Sequence, residues 1–269
     1  MDLQSLALQA ARAGASAMAE LGAGQPIAYK SDGHADPVTR ADLASESAIR
    51  ALIAEHRGDD GVLAEESGLS LGTSDIRWVI DPLDGTVNFT HGLRHYAVSV
   101  AAESMPSRET VAAAVVQPAR GRWLALGPDG VTGGPGRAGV ACTSADRALV
   151  AFAVPNDRAG RHDAYRTLAR IAPYVQDLRN FGSTVCDLAA VATGEIDGFI
   201  TFEPAPWDIA AGLALVRAAG GTSRRLSRDG GPQVVVAGGA AVVDWLSERI
   251  LASGSHGPTT IEETRSESQ

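Results

Sequence analysis

The chain has 269 residues, 45% of them hydrophobic and 20% charged, with a formal net charge of -9; that is enough for one large domain or two packed subdomains. No block of lysine and arginine is present to neutralise a phosphate backbone, so this acidic balance argues against nucleic acid as a partner. The two cysteines, Cys142 and Cys186, have no paired spacing, which excludes zinc ribbons and disulfide frameworks and makes a reducing cytoplasm the expected setting.

Leu3, Leu6, Ala10, Ala17 and Leu21 recur at near-helical spacing over residues 2–21, and Gly22 and Gly24 stop the run. This start lacks the basic residues and apolar centre of a signal peptide. No apolar stretch reaches the roughly 20 residues needed to span a bilayer, so no membrane contact is expected. A loop through Ser31 and Pro37 follows. It is preceded by Lys30, the single lysine among 23 basic residues; the arginine excess itself reads as genomic composition bias. Thr39 opens a second helix with Leu43, Ile49, Leu52 and Ile53 on one side. Short strands are predicted at 61–64, 77–81, 95–102, 110–117 and 122–126, and the Gly/Pro-rich stretch 127–140 reads as a hairpin or exposed connection.

Beyond it strand and helix alternate. Strands are predicted at 149–154, 174–179, 196–202 and 233–237, and helices at 162–172, 183–193, 207–219 and 239–252, implying a sheet covered by helices. The predicted organisation is an α+β subdomain over 1–141, an α/β subdomain over 142–252 and a disordered polar tail over 253–269.

Chemistry concentrates in three carboxylate segments. Asp81-Pro82-Leu83-Asp84-Gly85-Thr86 follows the apolar run Trp78-Val79-Ile80 and places two carboxylates at a strand end before a Gly-Thr turn that can open a helix. Glu65-Glu66 follows Gly61–Ala64, and Asp208 stands at the start of the helix carrying Ile209, Leu213, Leu215 and Val216. Magnesium takes such oxygens and keeps several waters. Each segment also has an ordinary reading: solvated charges for the glutamates, turn formation for Asp81 and Asp84, a helix-dipole partner for Asp208. Thr39-Arg40-Ala41-Asp42 fits a capping box. None of the six histidines shows ligand spacing, and Cys186 reads as core.

Asp36–Asp42, Ala64–Gly68, Trp78–Phe89 and Trp207–Gly212, in that order and at that spacing, resemble the signature segments of the inositol monophosphatase family. Phe181–Thr184 with Asp187-Leu188 and Val191–Gly194 resembles a further segment. The resemblance implies a layered α-β-α-β-α sandwich of the inositol monophosphatase and fructose-1,6-bisphosphatase type, and a homodimer. It implies two or three Mg2+ ions held by Glu65, Asp81, the Leu83 carbonyl, Asp84 and Asp208, with Glu65 also reaching a third ion. Asp42 and Thr86 would orient and deprotonate the attacking water. Asp84, Gly85, Thr86, Ser183, Thr184, Glu203 and Lys30 would meet phosphate or substrate.

The implied activity is magnesium-dependent, lithium-sensitive hydrolysis of a small polyol phosphate, inositol 1-phosphate first. Histidinol phosphate, a sugar or aminocyclitol phosphate, fructose 1,6-bisphosphate and 3′-phosphoadenosine phosphates are alternatives. So is a non-catalytic regulatory protein of the same fold. Three departures stand out: Ala64 in place of glycine, Val87 in place of threonine, and Thr201–Pro206. In the last, Thr201 occupies the position of a family glutamate and Glu203 lies five residues before Asp208.

Overall fold

The computed structural model describes residues 1–22, 28–29, 37–133, 139–141, 144–228, 233–252 and 259–264. The chain divides into two compact units. The first comprises Met1–Gly136, Gly182–Cys186 and Ala205–Leu215; the second comprises Arg137–Phe181, Asp187–Pro204 and Val216–Gln269. This differs from a single cut near residue 141. Two short segments from the C-terminal half, one carrying Ser183 and the other Asp208, belong with the N-terminal residues.

In chain order the first unit contains α1 (Leu3–Leu21), the two-residue strands β1 (Ala28–Tyr29) and β2 (Pro37–Val38), and α2 (Arg40–Arg57). Then come β3 (Gly61–Ala64), β4 (Gly68–Ser70), β5 (Ile76–Asp84), the single turn α3 (Thr86–Thr90), β6 (Ala97–Ser104), β7 (Glu109–Gln117), β8 (Arg122–Gly127) and β9 (Gly130–Gly133). Strands β3 to β9 form one sheet in the order β4-β3-β5-β6-β7-β8-β9. It is antiparallel except for the β3–β5 pair. The Gly/Pro-rich stretch after residue 127, read as a hairpin or exposed connection, begins with a hairpin, which adds β9.

Helix α1 is capped by Asp2, whose carboxylate accepts from the Ser5 amide, and ends at Gly22 with a positive φ of 72° that favours glycine. Its alanine-rich face packs with α2 on the sheet, and Leu6, Met18, Ile49, Ile53, Trp78, Ile80 and Val100 share that core. Gly14 permits the approach: a Cβ there would stand 2.6 Å from Ser45 Oγ and 2.8 Å from the Ile49 side chain. On α2 the buried stripe is Ala41, Asp42, Ser45, Glu46, Ile49 and Ile53. Leu43, expected on the apolar side, is 55% exposed. Three polar residues therefore occupy a face that periodicity assigns to hydrophobic ones.

The second sheet contains β10 (Leu149–Ala153), β11 (Asp177–Arg179), β12 (Gly198–Phe202), β13 (Thr222–Arg228), β14 (Val234–Gly238) and β15 (Thr259–Thr264). Their order is β11-β10-β12-β14-β13-β15. Helices α4 (Arg158–Ile171) and α7 (Ala240–Ala252) accompany it, while α5 (Thr184–Ala192) and α6 (Pro206–Ala218) each begin in the first unit and continue in the second. Only β11–β10 and β10–β12 are parallel; β14, β13 and β15 extend the sheet antiparallel. Residues 259–264, expected as part of a disordered tail, instead pair with Ser223–Arg228. The edge of β13 offers unpaired backbone groups that a polar, β-branched segment can satisfy. Among the described residues no helix is long and apolar enough to cross a membrane.

Candidate active site

Strand register creates the first carboxylate pair. The parallel β3–β5 ladder sets Ala64 opposite Ile80, and the Glu65 amide donates to the Ile80 carbonyl at 3.2 Å. The next residues, Glu65 and Asp81, thus follow side by side just beyond this pairing, and the Glu65 charge bears on Asp81. Beyond Asp81 the β5–β6 ladder shifts register between Asp81 and Asp84. Pro82, which has no N–H to give, lies in that bulge. The Asp81 carboxylate accepts from the Leu83 amide at 3.1 Å, and the Pro82 carbonyl accepts from Ser45 Oγ at 2.7 Å. Trp78 behind them is fully buried, its indole N–H satisfied by Asp60 at 2.8 Å.

Gly85 turns the chain after Asp84 with φ of 91°. A Cβ there would stand 3.0 Å from the His95 carbonyl oxygen and 3.2 Å from that of Gly182, so both backbone and space require glycine. Thr86 opens α3, and its hydroxyl lies 3.0 Å from Asp42 Oδ1 and 3.0 Å from the Leu83 carbonyl oxygen. One hydroxyl proton serves one of these acceptors at a time.

Asp42 is 1% exposed and divides its carboxylate between two tasks. Oδ2 accepts from the Thr39 amide at 2.8 Å and the Thr39 hydroxyl at 2.6 Å, closing the capping box, while Oδ1 meets Thr86. Cap and site role coexist on separate oxygens. Burial pushes the Asp42 carboxyl up, against the lowering effect of its hydrogen bonds with Thr39 and Thr86.

Asp208 repeats the device at α6. Its Oδ2 accepts from the Ala205 amide at 3.0 Å, and its own amide donates to the Ala205 carbonyl. Asp84 Oδ2 accepts from the Val185 amide at 2.8 Å and from the Ser183 hydroxyl. It thereby sits at the positive end of α5, where the helix dipole favours a carboxylate. Asp81 is pushed well above the usual carboxylate range, first by burial and then by the negative charges of Glu65, Asp84 and Asp208.

Such a cluster of like charges is costly to bury without a cation, and its donors, carboxylates and a peptide carbonyl, are those Mg2+ takes. Among the described residues no group of three or more His, Cys, Asp or Glu side chains is arranged to hold a metal ion. The named oxygens of Asp84 and Asp208 face amide and hydroxyl donors. The donor set fits a hard divalent cation by its chemistry.

The remaining expected residues divide. Ser183 is 2% exposed, and its oxygen accepts from the Cys186 amide at 3.2 Å while its hydroxyl donates to Asp84; it supports Asp84 and caps α5. Thr184 begins that helix, 8% exposed. Cys186 is buried, as expected. Glu203 belongs to the second unit; it is exposed, in left-handed backbone with φ of 49°. Thr201 is 3% exposed and pairs with Val235 inside the sheet. Lys30 and Cys142 lie outside the described residues. Two residues that sequence reasoning passed over, Ser45 and Glu46, hold the backbone of the carboxylate segments. The available signal was a pair of polar residues on the buried stripe of α2.

The model of the inositol monophosphatase family matches residues 2–269. An inositol-1-monophosphatase of Rhizobium meliloti (strain 1021) is 37% identical over 225 residues, which cover 82% of this chain and 84% of the relative. The Nus factor SuhB of Salmonella typhimurium (strain 14028s / SGSC 2262) is 36% identical over 193 residues, 70% of this chain and 72% of the relative. Among solved structures, the extragenic suppressor protein suhB of Bartonella henselae superposes with a TM-score of 0.82 at 28% identity. That match covers 93% of this chain and 98% of the other. By sequence and by fold, the chain belongs to the inositol monophosphatase family and is a phosphoric monoester hydrolase.

Proposed function

We propose that this phosphatase hydrolyses a small polyol phosphate, inositol 1-phosphate first among them, with Mg2+ held by Glu65, Asp81, the Leu83 carbonyl, Asp84 and Asp208. The observation that carries the reading is the charge of three carboxylates, Glu65, Asp84 and Asp208, bearing on buried Asp81, with Thr86 and its partner Asp42 just past the end of the same strand. A Mg2+ held by these residues would supply Lewis-acid stabilisation of the phosphoryl oxygens and would acidify the attacking water.

The chain's own residues divide the rest of the work. Thr86 orients the attacking water through its hydroxyl, and Asp42 Oδ1 accepts the proton that Thr86 or the water releases. Burial moves the Asp42 carboxyl upward, toward the range in which a general base is effective. The backbone N–H groups of Gly85 and Thr86 meet the phosphate at a turn held open by the left-handed glycine. Asp84 and Asp208 are fixed by helix-terminal hydrogen bonds before substrate arrives, so little reorganisation remains at the moment of reaction.

A panel of phosphate esters, compared by kcat/KM at saturating Mg2+, tests the substrate; inositol 1-phosphate is expected to lead it. Asp81→Asn and Asp84→Asn are expected to abolish phosphate release from every ester with the fold intact. Retained activity in those variants sinks the metal assignment. The relative named as a Nus factor supports a second, regulatory reading. The retained carboxylates favour turnover, and a well-folded chain inactive on every ester with Mg2+ would reverse that order.

A further inference from the structure

The inward stripe of α2 carries Asp42, Ser45 and Glu46 at positions i, i+3 and i+4, all buried. Each engages a different piece of the chain. Asp42 meets Thr86. Ser45 Oγ donates to the Pro82 carbonyl at 2.7 Å, between Asp81 and Leu83. Glu46 Oε2 accepts from the Glu66 amide at 2.9 Å, one peptide beyond Glu65. On the next turn Arg50 donates to Ser67 Oγ at 2.8 Å and to Ser70 Oγ at 3.1 Å, gripping the far side of the Glu65–Glu66 turn.

The energetics are unlike those of a residue kept for stability. Glu46 is 4% exposed and Ser45 fully buried. Burying a carboxylate or a hydroxyl is costly unless it is hydrogen-bonded, and the return on burying these two goes to backbone groups of the carboxylate segments. What Glu46 provides is a charge-assisted bond to one amide. Glu65 is thereby fixed from both sides: its own N–H on Ile80 and the following N–H on Glu46. Ser45 satisfies a carbonyl beside the register shift of β5. The missing side chain of Gly14 leaves the room in which that serine sits.

We propose that Ser45 and Glu46 are positioning residues: through the Pro82 carbonyl and the Glu66 amide they set the placement of Asp81, the Leu83 carbonyl and Glu65, and so the affinity for Mg2+. This rests on the magnesium reading above. Neither side chain touches substrate, so the effect falls on metal binding and leaves KM measured at saturating Mg2+ near the parent value.

The test uses the full-length protein with Glu46→Ala, Glu46→Gln and Ser45→Ala, and Leu43→Ala as a surface control on the same helix. Calorimetric titration with Mg2+ is expected to show Kd raised about 10–100-fold in Glu46→Ala and in Ser45→Ala. Glu46→Gln, which keeps an acceptor oxygen, recovers part of that loss, and Leu43→Ala matches the parent. Amide hydrogen exchange on the metal-free protein is expected to lose protection at Glu66 in Glu46→Ala. Because kcat recovers at high Mg2+, the defect separates from a catalytic one.

Unchanged Mg2+ affinity in Glu46→Ala despite lost Glu66 protection overturns the proposal, as does a lowered Tm with no shift in Mg2+ Kd. If Glu46→Ala fails to fold, Ser45→Ala, a smaller change, decides by the same titration. Asp81→Asn in the same calorimeter separates the two ideas: undiminished Mg2+ binding there refutes the metal site itself, whereas the Glu66 exchange result still reads the tether.

Discussion

Thr86 Oγ1 stands 3.0 Å from Asp42 Oδ1 while the other oxygen of the same carboxylate caps α2. A residue that starts a helix and a residue that faces the site are one and the same. Removing the carboxylate therefore has two separable costs.

Asp42→Asn is expected to lower kcat by about 100- to 10,000-fold, the range of general base catalysis, and stability by about 1 kcal/mol through the weakened cap. Thr39→Ala removes the cap hydroxyl, which donates to Asp42 and accepts from the Ala41 amide, without touching Thr86, so it shares the stability loss and keeps most of kcat. Thr86→Ala follows the activity pattern of Asp42→Asn, and Thr86→Ser, which restores the hydroxyl, recovers most of it. Denaturant melts and kcat at saturating substrate measure the two quantities. Equal kcat losses in Thr39→Ala and Asp42→Asn would show that Asp42 acts only as a cap.

The buried carboxylate cluster makes stability depend on pH and metal together. Burial and the charges of Glu65, Asp84 and Asp208 raise Asp81 in the folded state, and burial raises Asp42. For such groups the stabilising contribution is complete below the unfolded value of about 3.9 and is lost as pH rises through the folded value. Metal-free protein is thus expected to lose Tm as pH rises from the unfolded carboxylate value of about 3.9 through the raised folded value, with a shallower slope in Asp81→Asn. Mg2+ needs the ionised carboxylate, so its stabilising effect grows across the same window, reaching about 2.7 kcal/mol at 100 times Kd. Thermal melts in EDTA and in Mg2+ at constant ionic strength check both slopes. A parent and an Asp81→Asn protein with identical slopes would remove Asp81 as the cause.

Two glycines with similar backbone separate geometry from crowding. Gly85 has φ of 91° and a close ring of carbonyl oxygens, whereas Gly68 has φ of 72° and nothing within 4 Å of where a Cβ would stand. Gly68→Ala is expected to cost about 1–2 kcal/mol, the backbone cost alone. Gly85→Ala is expected to cost more, because the His95 carbonyl must move, and to depress kcat because Thr86 moves with the turn. Comparing unfolding free energies and kcat for the pair tests this. Equal costs would mean that the Gly85 turn yields without strain.

Much of this site is legible in the residue order because its chemistry is local: Asp81 to Thr86 lie within one strand end and one turn, and Asp42 announces itself three residues after a capping threonine. The pairing of Glu65 with Asp81 is not local, since it depends on the parallel register of β3 with β5. Ser45 and Glu46 were hidden because hydrophobic periodicity ranks Leu43 as inward and a buried glutamate as outward. Strands β13 and β15 of the second sheet were hidden for a related reason. Thr222–Arg228 holds three arginines and a single leucine, and Thr259–Thr264 is mostly polar, so neither carries the apolar run that marks a strand. Backbone pairing, which any sequence can offer, holds them.

Glu203 offers a direct test of where substrate preference resides. It is the carboxylate nearest in sequence to Thr201, where the family resemblance implies a glutamate, and it occupies left-handed backbone that costs a non-glycine residue about 1–3 kcal/mol. Its amide donates to the Gln233 carbonyl at 2.7 Å, which holds the conformation. Glu203→Gly is expected to raise stability by about 1 kcal/mol through relief of that strain, against the entropy glycine adds to the unfolded chain. If the carboxylate hydrogen-bonds a substrate hydroxyl, the same variant lowers kcat/KM for polyol phosphates by about 10-fold or more. It then leaves a generic ester lacking those hydroxyls unaffected. Glu203→Gln, which keeps the length and the strain but weakens the acceptor, falls between on activity and matches the parent on stability. An identical loss on both kinds of ester assigns the effect to the loop backbone rather than to the carboxylate, and no loss on either places specificity elsewhere in the chain.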